Sequence, residues 1–272
     1  MNKRYFRLSY LAFGYAFLYI PLLLVMVYSF NSVRSIYGWE SFSLKWYREL
    51  FKNVEILESL WNSLKIATIS ATFAMIIGTL AAFSLVRIHK FKGRRLFETV
   101  VNMPLVIPEV VTGLSLLLFF VSIQQILGIN INYGIPTISI AHITLGIAYV
   151  VVVVKSRLQE VDLSLEEAAM DLGAKPLIVF TDITLPLITP ACLAGWFLSF
   201  ALSFDDVVIA SFVSSPESTT LPMIIFSTLR TGGMSPKINA LATIMLSVST
   251  LGVIIAAYIA YRRQKNNKTQ WF

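Results

Sequence analysis

The stretch VVTGLSLLLFFVSIQQILGININYGIPTISIAHITLGIAYVVVVV, residues Val110–Val154, contains 45 consecutive residues without Asp, Glu, Lys or Arg. A helix needs about 20 apolar residues to cross a hydrocarbon core, so this run is too long for one span. It is interrupted by Gln124, Gln125 and the turn-prone segment Gly128–Pro136. We therefore predict two membrane spans joined by a short loop.

Other charge-poor runs raise the predicted number of spans to six. Of the 272 residues, 56% are hydrophobic and 14% are charged, whereas about a quarter of the residues in a soluble domain are charged. The runs lack the alternation of β-barrel strands, so the predicted fold is one all-α integral membrane domain over residues 1–272. The predicted spans lie at about 8–31, 64–87, 100–122, 136–155, 188–212 and 238–261, with a cytoplasmic loop at about 156–187.

The positions of Lys and Arg predict the orientation in the membrane. If the amino terminus is cytoplasmic, 15 of the 22 basic residues fall in cytoplasmic segments, as the positive-inside rule requires. Both termini are therefore predicted to be cytoplasmic. The net charge of +7 follows from this topology, so the expected partner is the lipid bilayer and not nucleic acid. A cleaved signal peptide is the alternative for the first span, but the span is long and no small-residue cleavage site follows Pro21.

The segment EEAAMDLGAKPLIVFTDITLPLITP, Glu166–Pro190, brings acidic residues into an otherwise apolar chain. Ser164 and Glu167 have the spacing of a capping box, which predicts the start of a short helix. Gly173 supplies the left-handed residue that ends a helix, and Pro176 suits the first turn of the next one. The segment is therefore predicted to form two helices with a sharp turn between them.

The first of these helices carries a narrow apolar stripe, formed by Leu165, Ala168, Ala169 and Leu172. An amphipathic helix on the membrane surface is one interpretation. Such helices usually carry Lys and Arg on the polar face, whereas this one carries Glu and Asp. The pattern favours a helix that fits a groove on a protein partner.

At this loop the sequence is similar to a known signature. The pattern E-A-A-x3-G-x9-I-x-L-P is typical of permease subunits of binding-protein-dependent ABC importers. All seven positions match, at Glu167, Ala168, Ala169, Gly173, Ile183, Leu185 and Pro186. Three further segments resemble the spermidine/putrescine permease branch: NSL at Asn62–Leu64, GTLAAF at Gly78–Phe83 and FDDVVIASFVSSPESTTLPMIIFSTLR at Phe204–Arg230.

The resemblance implies a type I ABC importer permease in a bacterial inner membrane, forming half of a polyamine pore that works by alternating access. It implies three protein partners: a sister permease, a cytoplasmic ATPase dimer and an extracytoplasmic substrate-binding protein. The residues implied to contact the ATPase are Glu166, Glu167, Ala168, Ala169 and Gly173. The chain has no G-x4-G-K-[ST] phosphate loop, so ATP and Mg²⁺ are expected on the ATPase, with no cofactor, metal site or catalytic residue in this chain.

Charged and aromatic residues near the spans are candidates for the substrate pathway. Acidic groups within a bilayer are costly and usually face a cavity or a partner, which singles out Glu109, Asp205 and Asp206. Asp206 continues the small polar stripe Ser199, Ser203 and Ala210, so we expect it to face the pathway and Asp205 to contact a neighbouring helix. Glu109 has an alternative role at a helix start, and Trp46 is either a membrane-interface aromatic or a cation-π contact for a polyamine.

Two alternatives to polyamine import remain open from the residues. The chain is either a permease for another small solute in the same class or a secondary transporter driven by an ion gradient, since intramembrane acids and Pro-broken helices occur there too. His142, within the fourth span, is expected to be a hydrogen-bonded packing residue and not a metal ligand.

Overall fold

The computed structural model describes residues 3–33, 38–88, 90–232 and 236–251. In these ranges the regular structure is helical, apart from one isolated antiparallel bridge between Asn31 and Phe42. The first six helices are α1 Lys3–Tyr28, α2 Lys45–Lys52, α3 Val54–Arg87, α4 Arg94–Asn102, α5 Glu109–Leu127 and α6 Ile135–Glu160. The next five are α7 Leu163–Asp171, α8 Pro176–Val179, α9 Leu185–Asp205, α10 Val208–Val213 and α11 Leu221–Gly232, and residues 236–251 are also helical.

Five of the described helical stretches are long and apolar enough to cross a membrane. They are Arg7–Tyr28, Val54–Arg87, Glu109–Leu127, Ile135–Glu160 and Pro176–Asp205. The last of these includes a π-helical turn at Phe180–Thr184, between α8 and α9. The predicted sixth span, 238–261, is helical as far as residue 251, and its remainder lies outside the described residues.

Two predicted spans are interrupted in the structure, and the helix of the second, predicted at 64–87, begins earlier, at Val54. The third, predicted at 100–122, is divided into α4, a 3₁₀ turn at Met103–Leu105 and α5, because Pro104 and Pro108 lack the N–H group that continues a helix. The fifth, predicted at 188–212, is interrupted between α9 and α10. There the Asp206 side chain accepts the backbone N–H groups of Ile209 and Ala210, which would otherwise bond to helix carbonyls.

The start of α7 also differs from its prediction. The capping box at Ser164 and Glu167 is wrong, because the N-cap residue is Asp162, whose Oδ1 accepts the Ser164 N–H at 3.0 Å. This backbone hydrogen bond, with a contribution from the Ser164 side chain, lowers the pKa of Asp162 below its ordinary value. The predicted turn is confirmed: Gly173 has a φ of +87° and Pro176 is the first residue of α8.

The chain divides into two units, residues 58–226 and residues 1–57 with 227–272. In the unit 58–226, α6 packs against α3 and α9 through small and β-branched side chains. Gly146 permits a close approach of α6 to α9, since a Cβ there would collide with the Oγ of Ser199. A second apolar cluster joins α6 to α5 and α10 around Phe120, Ile138 and Ile209.

In the other unit, α2 is tied to the segment that follows α1. The Trp46 indole N–H donates to the Asn31 carbonyl at 2.6 Å, and the hydroxyls of Ser29 and Tyr47 are 2.7 Å apart. Along α1 the apolar side chains are mostly exposed, as in a helix that meets lipid or another subunit.

Candidate functional site

The helix α7 turns one acidic side chain inward. Glu166 is 5% exposed, and its Oε1 accepts hydrogen bonds from Arg87 Nη2 at 2.8 Å and Nε at 3.0 Å. The Thr184 hydroxyl donates to the same oxygen at 3.0 Å. Arg87 ends α3 and Thr184 lies in the π turn before α9, so Glu166 joins α7 to both membrane helices.

The opposite face of α7 is open. Glu167, Ala168 and Gly173 are exposed and Ala169 is half-buried. Leu165 is 49% exposed and Leu172 90%, so much of the predicted stripe is accessible on the surface of the described chain.

The structure thus separates the five predicted coupling residues. Glu167, Ala168, Ala169 and Gly173 lie on a surface that a partner can reach, whereas Glu166 holds that surface to the membrane helices. Sequence reasoning missed Arg87 and Thr184. The available signal was an Arg at the end of a predicted span, on the same side of the membrane as the acidic loop. Arg87 was used only to predict the orientation in the membrane.

A buried polar cluster lies at the break between α9 and α10. Asp206 Oδ2 lies 3.1 Å from His142 Nε2, and His142 Nδ1 lies 2.6 Å from Ser203 Oγ. The Asp206 oxygens also accept the N–H groups of Ile209 and Ala210 at 3.2 and 2.7 Å. A carboxylate oxygen can only accept, so Nε2 of His142 donates the hydrogen bond to Asp206.

The environments of the two aspartates differ from those expected from the sequence. The Asp206 side chain is 5% exposed and bonded to His142, whereas Asp205 is exposed. The stripe of Ser199, Ser203 and Ala210 is small and polar because it packs inside the unit. The expectation that His142 is a hydrogen-bonded packing residue agrees with this geometry.

The other two candidate pathway residues lie apart. Glu109 is exposed in the first turn of α5, directly after Pro108, which is the alternative position considered for it. Trp46 is 8% exposed, and Lys45 Nζ lies 5.1 Å from its ring centroid, so the chain's own cation occupies one ring face. Within the described residues, no group of three or more His, Cys, Asp or Glu side chains is placed to hold a metal ion.

This arrangement ties a surface helix to two long apolar helices through a buried ion pair. Residues 74–265 match the family described as binding-protein-dependent transport system inner membrane component. The chain belongs to this family. It is therefore a multi-pass inner-membrane permease subunit of an ABC importer, and not an enzyme.

Curated relatives resemble the chain over almost its whole length. The putrescine transport system permease protein PotI of Escherichia coli is 49% identical over 95% of this chain and 92% of its own. The spermidine/putrescine transport system permease protein PotC of Escherichia coli is 41% identical over 98% of both chains. PotC of Haemophilus influenzae is 38% identical over 98% of this chain and all of its own.

Solved structures share the fold at lower identity. A bacterial ABC transporter involved in the import of the acidic polysaccharide alginate superposes with a TM-score of 0.75 at 19% identity, covering 95% of this chain and 94% of that one. A methionine ABC transporter gives a TM-score of 0.58 at 18% identity, covering 74% of this chain and 92% of that one. These structures confirm the predicted fold class, an all-α type I ABC importer permease.

Proposed function

We propose that this chain forms half of the translocation pathway of an ATP-driven polyamine importer that works by alternating access. The observation that carries the proposal is the identity of 49% and 41%, over nearly the full chain, to permeases named for putrescine and spermidine/putrescine transport. Family membership alone supports import of some solute, and this closer similarity favours a polyamine.

The chemistry near α9 and α10 fits a cationic cargo. Asp205 is an exposed acid at the end of a membrane helix, and Glu109 is an exposed acid at the start of another. Acids at such positions usually face a water-filled cavity or a partner. Asp206 contributes in a different way, since its carboxylate shapes the break between α9 and α10. Trp46, the other candidate from the sequence, is buried with Lys45 over one ring face, which leaves little of the ring for a cation-π contact with the cargo.

The exposed face of α7 is the proposed contact with a cytoplasmic ATPase dimer. It presents apolar side chains with Glu167 beside them, a surface suited to a groove on a protein. The side chain of Glu166 transmits movement of α7 to α3 and α9 through Arg87 and Thr184. Glu167, Ala168, Ala169 and Gly173 make the contact itself.

The remaining parts of the importer follow from this division of labour. ATP and Mg²⁺ bind on the ATPase, and this chain holds no cofactor. A sister permease supplies the other half of the pathway, and an extracytoplasmic binding protein delivers the cargo. The Lys and Arg distribution supports cytoplasmic termini and a cytoplasmic loop over residues 156–187.

The cargo is tested by reconstituting the chain with its cognate sister permease, ATPase and binding protein in sealed vesicles. We expect ATP-dependent uptake of labelled putrescine or spermidine, competed by the unlabelled polyamine and unaffected by an amino acid or an organic anion. Uptake of the amino acid or the anion in place of a polyamine would leave the assignment as an ATP-driven importer intact. It would show that the cargo is not a polyamine. That result would favour the alternative, a permease of the same class for another solute.

A further inference from the structure

A groove runs along α4, outside the sites described above. Two adjacent cavities of about 790 and 720 Å³ share Arg95 and Glu98 in their walls. The first is lined by Lys90, Phe91, Lys92, Gly93, Arg94, Arg95 and Glu98. The second is lined by Arg95, Glu98, Thr99, Asn102, Met103, Val106 and Ile107. The groove therefore has a basic end and an end with apolar side chains.

The basic end carries positive charge that its neighbours do not neutralise. Lys90, Lys92 and Arg95 are exposed, and among the residues that the structure describes none of the three forms an ion pair. The one acid in the lining, Glu98, is already bound by Lys155 at 2.6 Å. This end of the groove is consequently suited to an anion.

Hydrogen bonds fix which face of α4 points outward. On one face Lys155 binds Glu98, and Arg94 Nη2 donates to the Leu85 carbonyl at 2.9 Å. On the other face Leu96, Val100 and Met103 follow at spacings of four and three residues and are 68%, 55% and 50% exposed. An apolar face of this kind, with basic residues beside it, is typical of a helix lying in the membrane interface.

The apolar end of the groove continues onto a membrane helix. Val106 is 84% exposed, and the exposed residues Val110, Val111 and Leu114 follow it on α5. A soluble anion would use only the basic end. An amphiphile with an anionic head group and an acyl chain uses both ends.

We propose that this groove binds an anionic glycerophospholipid. Arg95 binds the phosphate through its guanidinium fork, with Lys90 and Lys92 as additional charges. The acyl chain lies along Met103, Val106 and the start of α5. This site is independent of the cargo and of the ATPase contact on α7.

The test uses the full-length chain, purified in detergent, with phosphatidylglycerol as the probe and phosphatidylcholine of the same acyl chains as the comparison. Bound lipid is measured by native mass spectrometry during titration. Each basic residue near an anionic head group contributes about 1 kcal/mol, which is roughly fivefold in affinity. We expect the triple variant K90Q/K92Q/R95Q to bind phosphatidylglycerol about a hundredfold more weakly, and Lys90→Gln alone about fivefold more weakly.

A matched control removes the same charge elsewhere. The variant K45Q/R48Q/K52Q neutralises three exposed basic residues on and beside the polar surface of α2 and is expected to leave phosphatidylglycerol binding unchanged. Equal loss of phosphatidylglycerol binding in the two triple variants would overturn the site. It would show that the lipid responds to the net charge of the protein and not to this groove. If K90Q/K92Q/R95Q does not fold, phosphatidylglycerol binding by Lys90→Gln is the test, and unchanged binding would overturn the site.

Three further outcomes would contradict the proposal in whole or in part. Equal binding of phosphatidylcholine and phosphatidylglycerol would overturn the anionic specificity. Displacement of the lipid by glycerol phosphate at similar concentration would overturn the role of the acyl chain, leaving a site for a soluble phosphate. If the cognate ATPase displaces the lipid, the groove is a protein interface and the proposal fails.

Discussion

The guanidinium of Arg87 binds the carboxylate of Glu166, 79 positions further along the chain, at 2.8 Å and with little of either side chain exposed. This bond connects the end of a membrane helix to the short helix α7. Because Thr184 donates to the same carboxylate oxygen, a displacement of α7 must move α3 and the start of α9 or break a buried ion pair. In the function proposed above, this connection carries movement of α7 to the membrane helices.

Replacing Glu166 by Met should destabilise the protein by about 3 kcal/mol, the lower end for removing one partner of a buried ion pair. Glu167→Met is the matched control, since the neighbouring acid is exposed, and it should change stability by less than about 0.5 kcal/mol. The double variant Arg87→Met/Glu166→Met should lose less stability than the two single losses added together.

Cys192 offers a direct way to measure these changes. It is the one cysteine of the chain and it is buried, so a thiol-reactive dye reports unfolding on heating. Equal shifts in melting temperature for Glu166→Met and Glu167→Met would contradict the structural role of the ion pair.

Gly173→Val should reduce putrescine uptake per ATP hydrolysed several-fold. The backbone there has a φ of +87°, which a β-branched residue adopts only with strain of about 1 to 2 kcal/mol, so the turn after α7 would be distorted. Gly173→Asn should retain more coupling, because Asn tolerates this conformation.

Gly128→Val provides the control for Gly173. Gly128 has a φ of +62°, and like Gly173 it has open space around the position of a Cβ, but it ends α5. Strain of the same kind should therefore lower stability without changing the ratio of uptake to hydrolysis. Similar loss of coupling in both variants would argue against a specific role for the turn after α7.

Asp205 and Asp206 should respond differently to substitution. Asp206→Ala removes the acceptor for His142 and for two backbone N–H groups, and should cost about 1 to 2 kcal/mol of stability. Asp205→Ala should leave the melting temperature unchanged and raise the KM for putrescine, because that carboxylate is exposed. If Asp206→Ala instead raised the KM and left the melting temperature unchanged, while Asp205→Ala lowered it, Asp206 would be the pathway residue.

Composition and local patterns were sufficient to predict that the chain is a membrane protein, that a turn lies at Gly173 and that Pro176 begins the next helix. The interruption of the third span follows from Pro104 and Pro108, yet hydropathy alone placed one helix across them. The inward turn of Glu166 could not be predicted locally, since its partner Arg87 is distant in the chain. The same holds for Asp206, whose burial depends on His142, 64 positions earlier.

The ion pair between Glu98 and Lys155 should give α4 a pH-dependent attachment to α6. The hydrogen bond and charge of Lys155 lower the pKa of Glu98 from its ordinary value of 4.5. Stability from this pair is therefore fully present above pH 4.5 and is lost as the pH falls through the lowered pKa of the folded state. Melting temperatures of the parent chain and Glu98→Gln should converge at low pH; a constant difference at all pH values would contradict this role.

In the proposed importer, ATP hydrolysis on a partner drives polyamine movement past this chain. The most direct measurement is uptake of labelled putrescine into sealed vesicles containing the complete importer, with the binding protein outside and the nucleotide on the ATPase side. Uptake should require hydrolysable ATP and stop with a non-hydrolysable analogue, whatever ion gradient is imposed. Uptake at the same rate with an ion gradient and no ATP would rule out ATP-driven import and identify a secondary transporter.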